Sequence, residues 1–281
     1  MKGSFRFLCF SGMQLSLFER PEPLLGAFEH PNLRLGTASW NYPGWRGLVY
    51  DEPGLAAYSA HPLFRCVALD RNFYGPLSEA EYAGYAAQVA ADFRFLVKAP
   101  RALVDPASAH YLDAPWALEN FLEPARSGLG SSLGLAHFFF PPARHDDFRA
   151  FFGRLLEVGC EVSYEVRQKL VCDLPGLNRV WNVFPGMDWP QPEKGGVRVV
   201  RWTLRPSAPE VPWNLKTAAH RYLPFSALRD PDVETRRRIA DQVLDWLGQG
   251  LPVWVLVNNK AEGCAPLSLR MLTEELALRS S

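Results

Sequence analysis

Leu33-Arg34-Leu35-Gly36-Thr37-Ala38-Ser39-Trp40-Asn41-Tyr42-Pro43-Gly44-Trp45-Arg46-Gly47 is a short apolar strand that empties into a turn of Gly, Pro, Tyr, Arg and Trp. The same form recurs down the chain: an apolar run whose exit is rich in aromatic and polar groups. Arg65–Asp70, Phe93–Lys98, Leu133–Phe140, Cys160–Val166, Val180–Phe184, Val197–Thr203 and Val253–Val257 read as further strands. Helical patterns fall between most of them, at 78–90, 114–126, 146–158 and 231–247, and a last one closes the chain at 267–278. Ser78-Glu79-Ala80-Glu81 opens the first of these as a capping box. Strands that alternate with helices pair in parallel, and nearly continuous apolar strands are buried on both faces. Eight of them in ~250 residues predict an α/β fold, a single (β/α)8 TIM-type barrel. It is irregular, with short or missing helices around strands five to seven. The competing open doubly wound sheet lacks its glycine fingerprint, because Gly128-Leu129-Gly130 has the wrong spacing and precedes a strand.

The chain of 281 residues has an ordinary globular composition, 48% hydrophobic and 21% charged. Residues 1–31 read as an N-terminal extension and 32–281 as the barrel domain. Thirty Lys and Arg balance thirty Asp and Glu, so bulk charge gives no affinity for nucleic acid or membrane. One segment, 195–240, is locally basic, with nine Lys/Arg against four Asp/Glu. The five cysteines are widely spaced, and no C-x-x-C pair occurs. That argues against a disulfide framework or zinc knuckle and suits buried thiols in a reducing compartment. Lys2 and Arg6 precede an apolar piece too short for a signal peptide, and no run approaches the ~20 apolar residues of a membrane span. The expected location is the cytoplasm.

In a parallel barrel the C-terminal strand ends converge on one mouth. Lys98 ends a strong apolar run, where its charge must find a partner or lose its proton; it is a candidate base or anion anchor. Glu165 and Arg167 lie two residues apart on one side of strand five. Glu165 is a candidate acid or base that pairs with Lys98 or Arg201, or else forms an internal ion pair that fixes the barrel floor. Arg201, set inside Val199-Val200-Arg201-Trp202, needs an anionic partner from protein or ligand. Trp40, Arg46, Asp70, Asn72, Tyr74, Asn258 and Asn259 complete the candidate ligand set, with Asn258 and Asn259 open to a second reading as Asx turns. His137, among Phe138–Phe140, reads as a satisfied core histidine. His145-Asp146-Asp147 reads as helix capping, and Arg236-Arg237-Arg238 as a solvated helix face. No metal or cofactor motif occurs, and none is expected.

The ordered set of motifs resembles the DUF72, or YecE-like, family of uncharacterised (β/α)8 barrels. It comprises Gly36-Thr37-Ala38-Ser39-Trp40 with Trp45, Asn72-Phe73-Tyr74, Phe93 to Pro100, Phe140-Pro141-Pro142, Glu165-Val166-Arg167, Arg201, Tyr222, Asn258-Asn259 and Gly263 with Ala265-Pro266. The resemblance covers about residues 33–278. It implies polar partners that this chain replaces: a Glu and an Asn by Ala68 and Asp70, a Thr-His pair by Val104-Asp105, a Gln by Phe139 and an acid by Lys260.

Two functions are weighed. The first is binding of a small anionic, hydroxyl-rich ligand, sugar phosphate or nucleotide-like, at the strand ends, with acid–base isomerase, lyase or hydrolase chemistry. The second is a non-catalytic nucleic-acid module using the basic 195–240 segment and its Trp202, Trp213 and Tyr222. Oligomeric state is not legible.

Overall fold

A computed structural model describes residues 25–140, 148–166, 174–185, 196–204 and 221–280. Eight strands close into a barrel in sequence order. They are β1 (Leu33–Thr37), β2 (Cys66–Leu69), β3 (Arg94–Lys98), β4 (Leu133–Phe140), β5 (Val162–Val166), β6 (Leu177–Val183), β7 (Arg198–Trp202) and β8 (Val253–Val257). Every neighbouring pair is parallel, and β8 returns to β1 over the register Leu33↔Val253 to Thr37↔Val257. Closure leaves no edge strand to protect. The connections 167–176 and 184–197 hold no helix among their described residues.

Alternation along each strand sorts side chains into two cores. The inward set is apolar at its lower levels: Cys66, Ala68, Leu96, Leu135, Val180, Val199, Trp254 and Leu256 pack on one another. The outward set, with Val67, Val97, Phe138, Tyr164, Val200, Trp202 and Val255, packs against the helices. Two glycines make this packing possible. A Cβ on Gly36 would meet the Cys66 carbonyl at 2.1 Å, and one on Gly134 would meet the Trp254 ring at 2.2 Å. Glycine therefore lets β1 approach β2 and leaves room for the indole inside the lower barrel.

The helices obey local rules. Ser78 and Glu81 close the expected capping box over Glu79–Ala86. Asp232 caps Val233–Gly248 by accepting from the Thr235 amide at 3.1 Å. The helical stretch from Ala114 to Leu129 widens into a π turn at Leu118–Leu122, just before Pro124. Proline lacks an N–H and crowds the preceding turn, so a local widening there keeps the helix continuous.

Candidate functional site

Above the apolar plug the inward positions turn polar. Glu165 near the end of β5 is 1% exposed, so its charge must be met by protein. Arg201 Nη1 from β7 pairs with Glu165 Oε2. Asn182 Nδ2 from β6 donates to Glu165 Oε1 at 2.5 Å. His137 of β4 stands on the other side, with Nε2 3.7 Å from Glu165 Oε2 and Nδ1 3.2 Å from Ser163 Oγ. Burial, reinforced by the positive charges of Arg201 and Lys98, holds the His137 pKa well below the usual value. The imidazole is therefore neutral at neutral pH, and the His137–Glu165 contact is not an ion pair. Burial opposes the Arg201 charge, but Glu165 and then Asp70 outweigh it and raise the Arg201 pKa.

Arg201 keeps 20% of its side chain exposed. Among the described residues only its Nη1 is engaged, and Nε and Nη2 have no acceptor. Lys98 is the second cation there. Its Nζ lies 3.9 Å from the Phe73 ring centroid and 5.5 Å from that of Phe139. The amine makes no hydrogen bond or ion pair among the described residues. Burial lowers its pKa; Asp70 and Glu165 raise it in part, and Arg201 lowers it further. These mutual influences place Lys98, Asp70, Glu165 and Arg201 in one electrostatic neighbourhood.

The remaining candidates divide by position. Asp70 is exposed at the exit of β2 and acts on Lys98, Arg201 and Tyr42. Asn72 is buried and holds backbone instead, donating to the Lys98 carbonyl at 3.0 Å and accepting from the Leu77 amide at 3.1 Å. Tyr74 is 83% exposed on the rim. Trp40 packs edge-on against Tyr85, 5.9 Å between centroids, which turns its ring toward the helical layer. Arg46 is exposed and paired with Glu52 at 2.7 Å. Asn258 accepts from the Lys260 amide at 3.0 Å, the Asx-turn alternative. Asn259 is buried and accepts from the Ala265 amide at 2.8 Å, while its Nδ2 is aimed at the Tyr42 hydroxyl without closing a hydrogen bond of ordinary geometry. Arg167 and His145-Asp146-Asp147 lie outside the described residues.

Two groups in this site escaped the sequence reading. Asn182 interrupts the apolar run Val180-Trp181-Asn182-Val183 just as Arg201 interrupts its own strand, and that interruption was the available signal. Ser163, two residues before Glu165, shares its inward side.

Among the described residues of the basic segment 195–240, Arg221, Arg229, Arg237 and Arg238 are exposed, while Arg198 and Arg236 are buried. Arg198 is buried, with its guanidinium 6.0 Å from the Trp246 ring. Arg201 points into the barrel, and Arg221 is paired with Asp230. The solvated-face reading of 236–238 needs correction at its first residue. Arg236 is buried and paired with the buried Glu262, because it shares the helix face of Ile239, Ala240 and Val243. Arg237 stays exposed and reaches Glu275 at 3.6 Å. No group of three His, Cys, Asp or Glu side chains comes together in a metal-binding arrangement among the described residues. No described helix is long and apolar enough to cross a membrane.

The family model described as "Protein of unknown function DUF72" matches residues 34–281, and the chain belongs to that family. Among solved structures it is similar to a DUF72 family protein from Enterococcus faecalis, with 17% identity over 87% of this chain and 95% of that one, at a TM-score of 0.65. It is also similar to a DUF72 family protein from Thermotoga maritima, with 17% identity over 87% of this chain and 98% of that one, at 0.61. At this identity the likeness shows a shared fold. No curated protein matches. The departures from the family pattern now have places: Ala68 joins the apolar plug, Val104 is buried, and Asp105 binds Arg101 at 2.9 Å on the surface. Phe139 lies over Lys98, and Lys260 is partly buried, with its pKa lowered by that burial.

Proposed function

We propose that this DUF72 barrel binds a small anionic, hydroxyl-rich compound of the sugar-phosphate or nucleotide-like class at its C-terminal mouth, and that Lys98 transfers a proton there. Arg201 takes the phosphate or carboxylate through Nε and Nη2, a planar pair suited to a two-oxygen anion. Glu165 acts through Arg201: with its oxygens taken by Arg201 and Asn182, it fixes the guanidinium and is a positioning residue. Asp70 and Tyr74 stand at the rim, where ligand hydroxyls are within their reach.

One observation carries this reading. Two cations share one mouth, and the single buried carboxylate between them is committed to one of them. A ligand anion supplies what the pair lacks. Proton transfer at a carbon next to a carbonyl follows from an amine whose charge is poorly held, since a base works best with a pKa near the operating pH.

Thermal unfolding with inorganic phosphate and glycerol 3-phosphate tests the site. A ligand at about 100 times its Kd adds about 2.7 kcal/mol, which for a chain of this size is a rise of about 5 to 10 °C in Tm. Arg201→Lys keeps the charge and loses the planar fork, so the rise should shrink by more than half. An equal rise in wild type and Arg201→Lys, or none in wild type, contradicts the assignment.

A further inference from the structure

We infer that Lys98 is an amine nucleophile that condenses with the carbonyl carbon of the bound compound to form an imine. The inference rests on the anion site proposed above and narrows its ligand to phosphorylated or carboxylated aldehydes and ketones. Three features of the mouth lead to it.

First, no carboxylate forms an ion pair with the Lys98 amine among the described residues, and Asp70, exposed at the rim, acts on it only through its charge. Glu165 is the one buried carboxylate carried by a barrel strand among the described residues, and Arg201 and Asn182 hold both of its oxygens. Second, the walls about Nζ are the rings of Phe73 and Phe139. A ring face offers an ammonium about 0.5–2 kcal/mol, far less than the hydration it replaces. The free amine is the form such walls accommodate, and burial moves Lys98 in that direction. Third, imine formation expels water, so apolar walls favour it over simple hydration of the carbonyl.

The step balances without a co-reactant. The Nζ lone pair attacks the carbonyl carbon; a C–N bond forms and the π pair moves to oxygen, which takes a proton. The nitrogen loses a proton, the hydroxyl takes a second one and leaves as water, the C=N double bond closes, and loss of the nitrogen's remaining proton gives the neutral imine. Asp70, the charge that acts most strongly on Lys98, sits at the solvent edge to carry these protons. Arg201 holds the anionic end meanwhile, which fixes the carbonyl over Nζ.

Borohydride trapping with dihydroxyacetone phosphate tests this on the intact protein. Reduction freezes an imine as a secondary amine, and peptide mass spectrometry locates it among the six lysines of the chain. The expected result is an adduct on Lys98 at about tenfold or more the yield at any other lysine, as follows from a larger free-amine fraction. Glycerol 3-phosphate, which has the anion but no carbonyl, should suppress it. Adducts spread evenly over the lysines overturn the inference. No Lys98 adduct while glycerol 3-phosphate still raises Tm overturns the imine alone and leaves the anion site standing. No adduct and no Tm response overturn both.

Discussion

Glu165→Gln is expected to destabilise the protein by about 3 kcal/mol, a loss of about 6 to 12 °C in Tm. The side chain keeps its volume and one acceptor, so packing is barely disturbed. What changes is charge. Arg201, four-fifths covered, loses the anion that keeps its guanidinium inside the barrel, and removing one partner of a buried pair leaves an uncompensated charge. The neutral His137 cannot replace it. A second substitution distinguishes this cause from general damage. Glu165→Gln with Arg201→Met should be more stable than Glu165→Gln alone, because the stranded charge is gone. Urea unfolding of both variants measures the difference. A cost below 1 kcal/mol for the single variant, or simple additivity in the double, means that the pair does not hold the mouth together.

The second large effect has opposite signs in stability and in binding. Lys98→Met removes a cation that lacks an acceptor and keeps a flexible apolar chain between Phe73 and Phe139. The variant should be at least as stable as wild type at pH 7, yet lose the rise in Tm that anionic carbonyl compounds bring. The pH dependence has a definite direction. The folded Lys98 pKa lies below its unfolded value, so between the two the unfolded chain binds more protons and wild-type stability rises with pH. Below the folded pKa the penalty on the charged amine is complete. The advantage of Lys98→Met is therefore largest there and shrinks toward the ordinary lysine value of about 10.4. A Lys98→Met protein that is less stable than wild type at all pH values, with unchanged ligand response, removes Lys98 from the site.

The strands were legible because each is an apolar run bounded by turn residues, and burial on both faces of a closed barrel demands such runs. Their ends moved by one to three residues, as with Val180–Phe184 against the observed Leu177–Val183. Leu55–Ser59 and Arg101–Val104 passed unseen, since one turn of helix leaves no periodicity to read. Lys98, Glu165 and Arg201 could be placed at strand ends from sequence. Which cation would receive Glu165 could not be, because that depends on how strand register and barrel tilt stack the inward levels. Asn72 shows a different limit. Its position at a strand exit suggested a ligand contact, while the structure uses both its polar atoms to hold backbone. Arg236 was legible in principle: its spacing to Ile239, Ala240 and Val243 marks the buried face, but its partner Glu262 follows β8 with no pattern to announce it.

The central claim is that Glu165 belongs to Arg201 and leaves the Lys98 amine unpartnered at the mouth. Competitive acylation of the lysine amines as a function of pH, with peptide mass spectrometry as the readout, measures the Lys98 titration directly. Lys98 should become reactive below the ordinary lysine value of about 10.4 and be protected by glycerol 3-phosphate. A Lys98 that titrates at or above that value, indifferent to the anion, has a carboxylate of its own and contradicts the account.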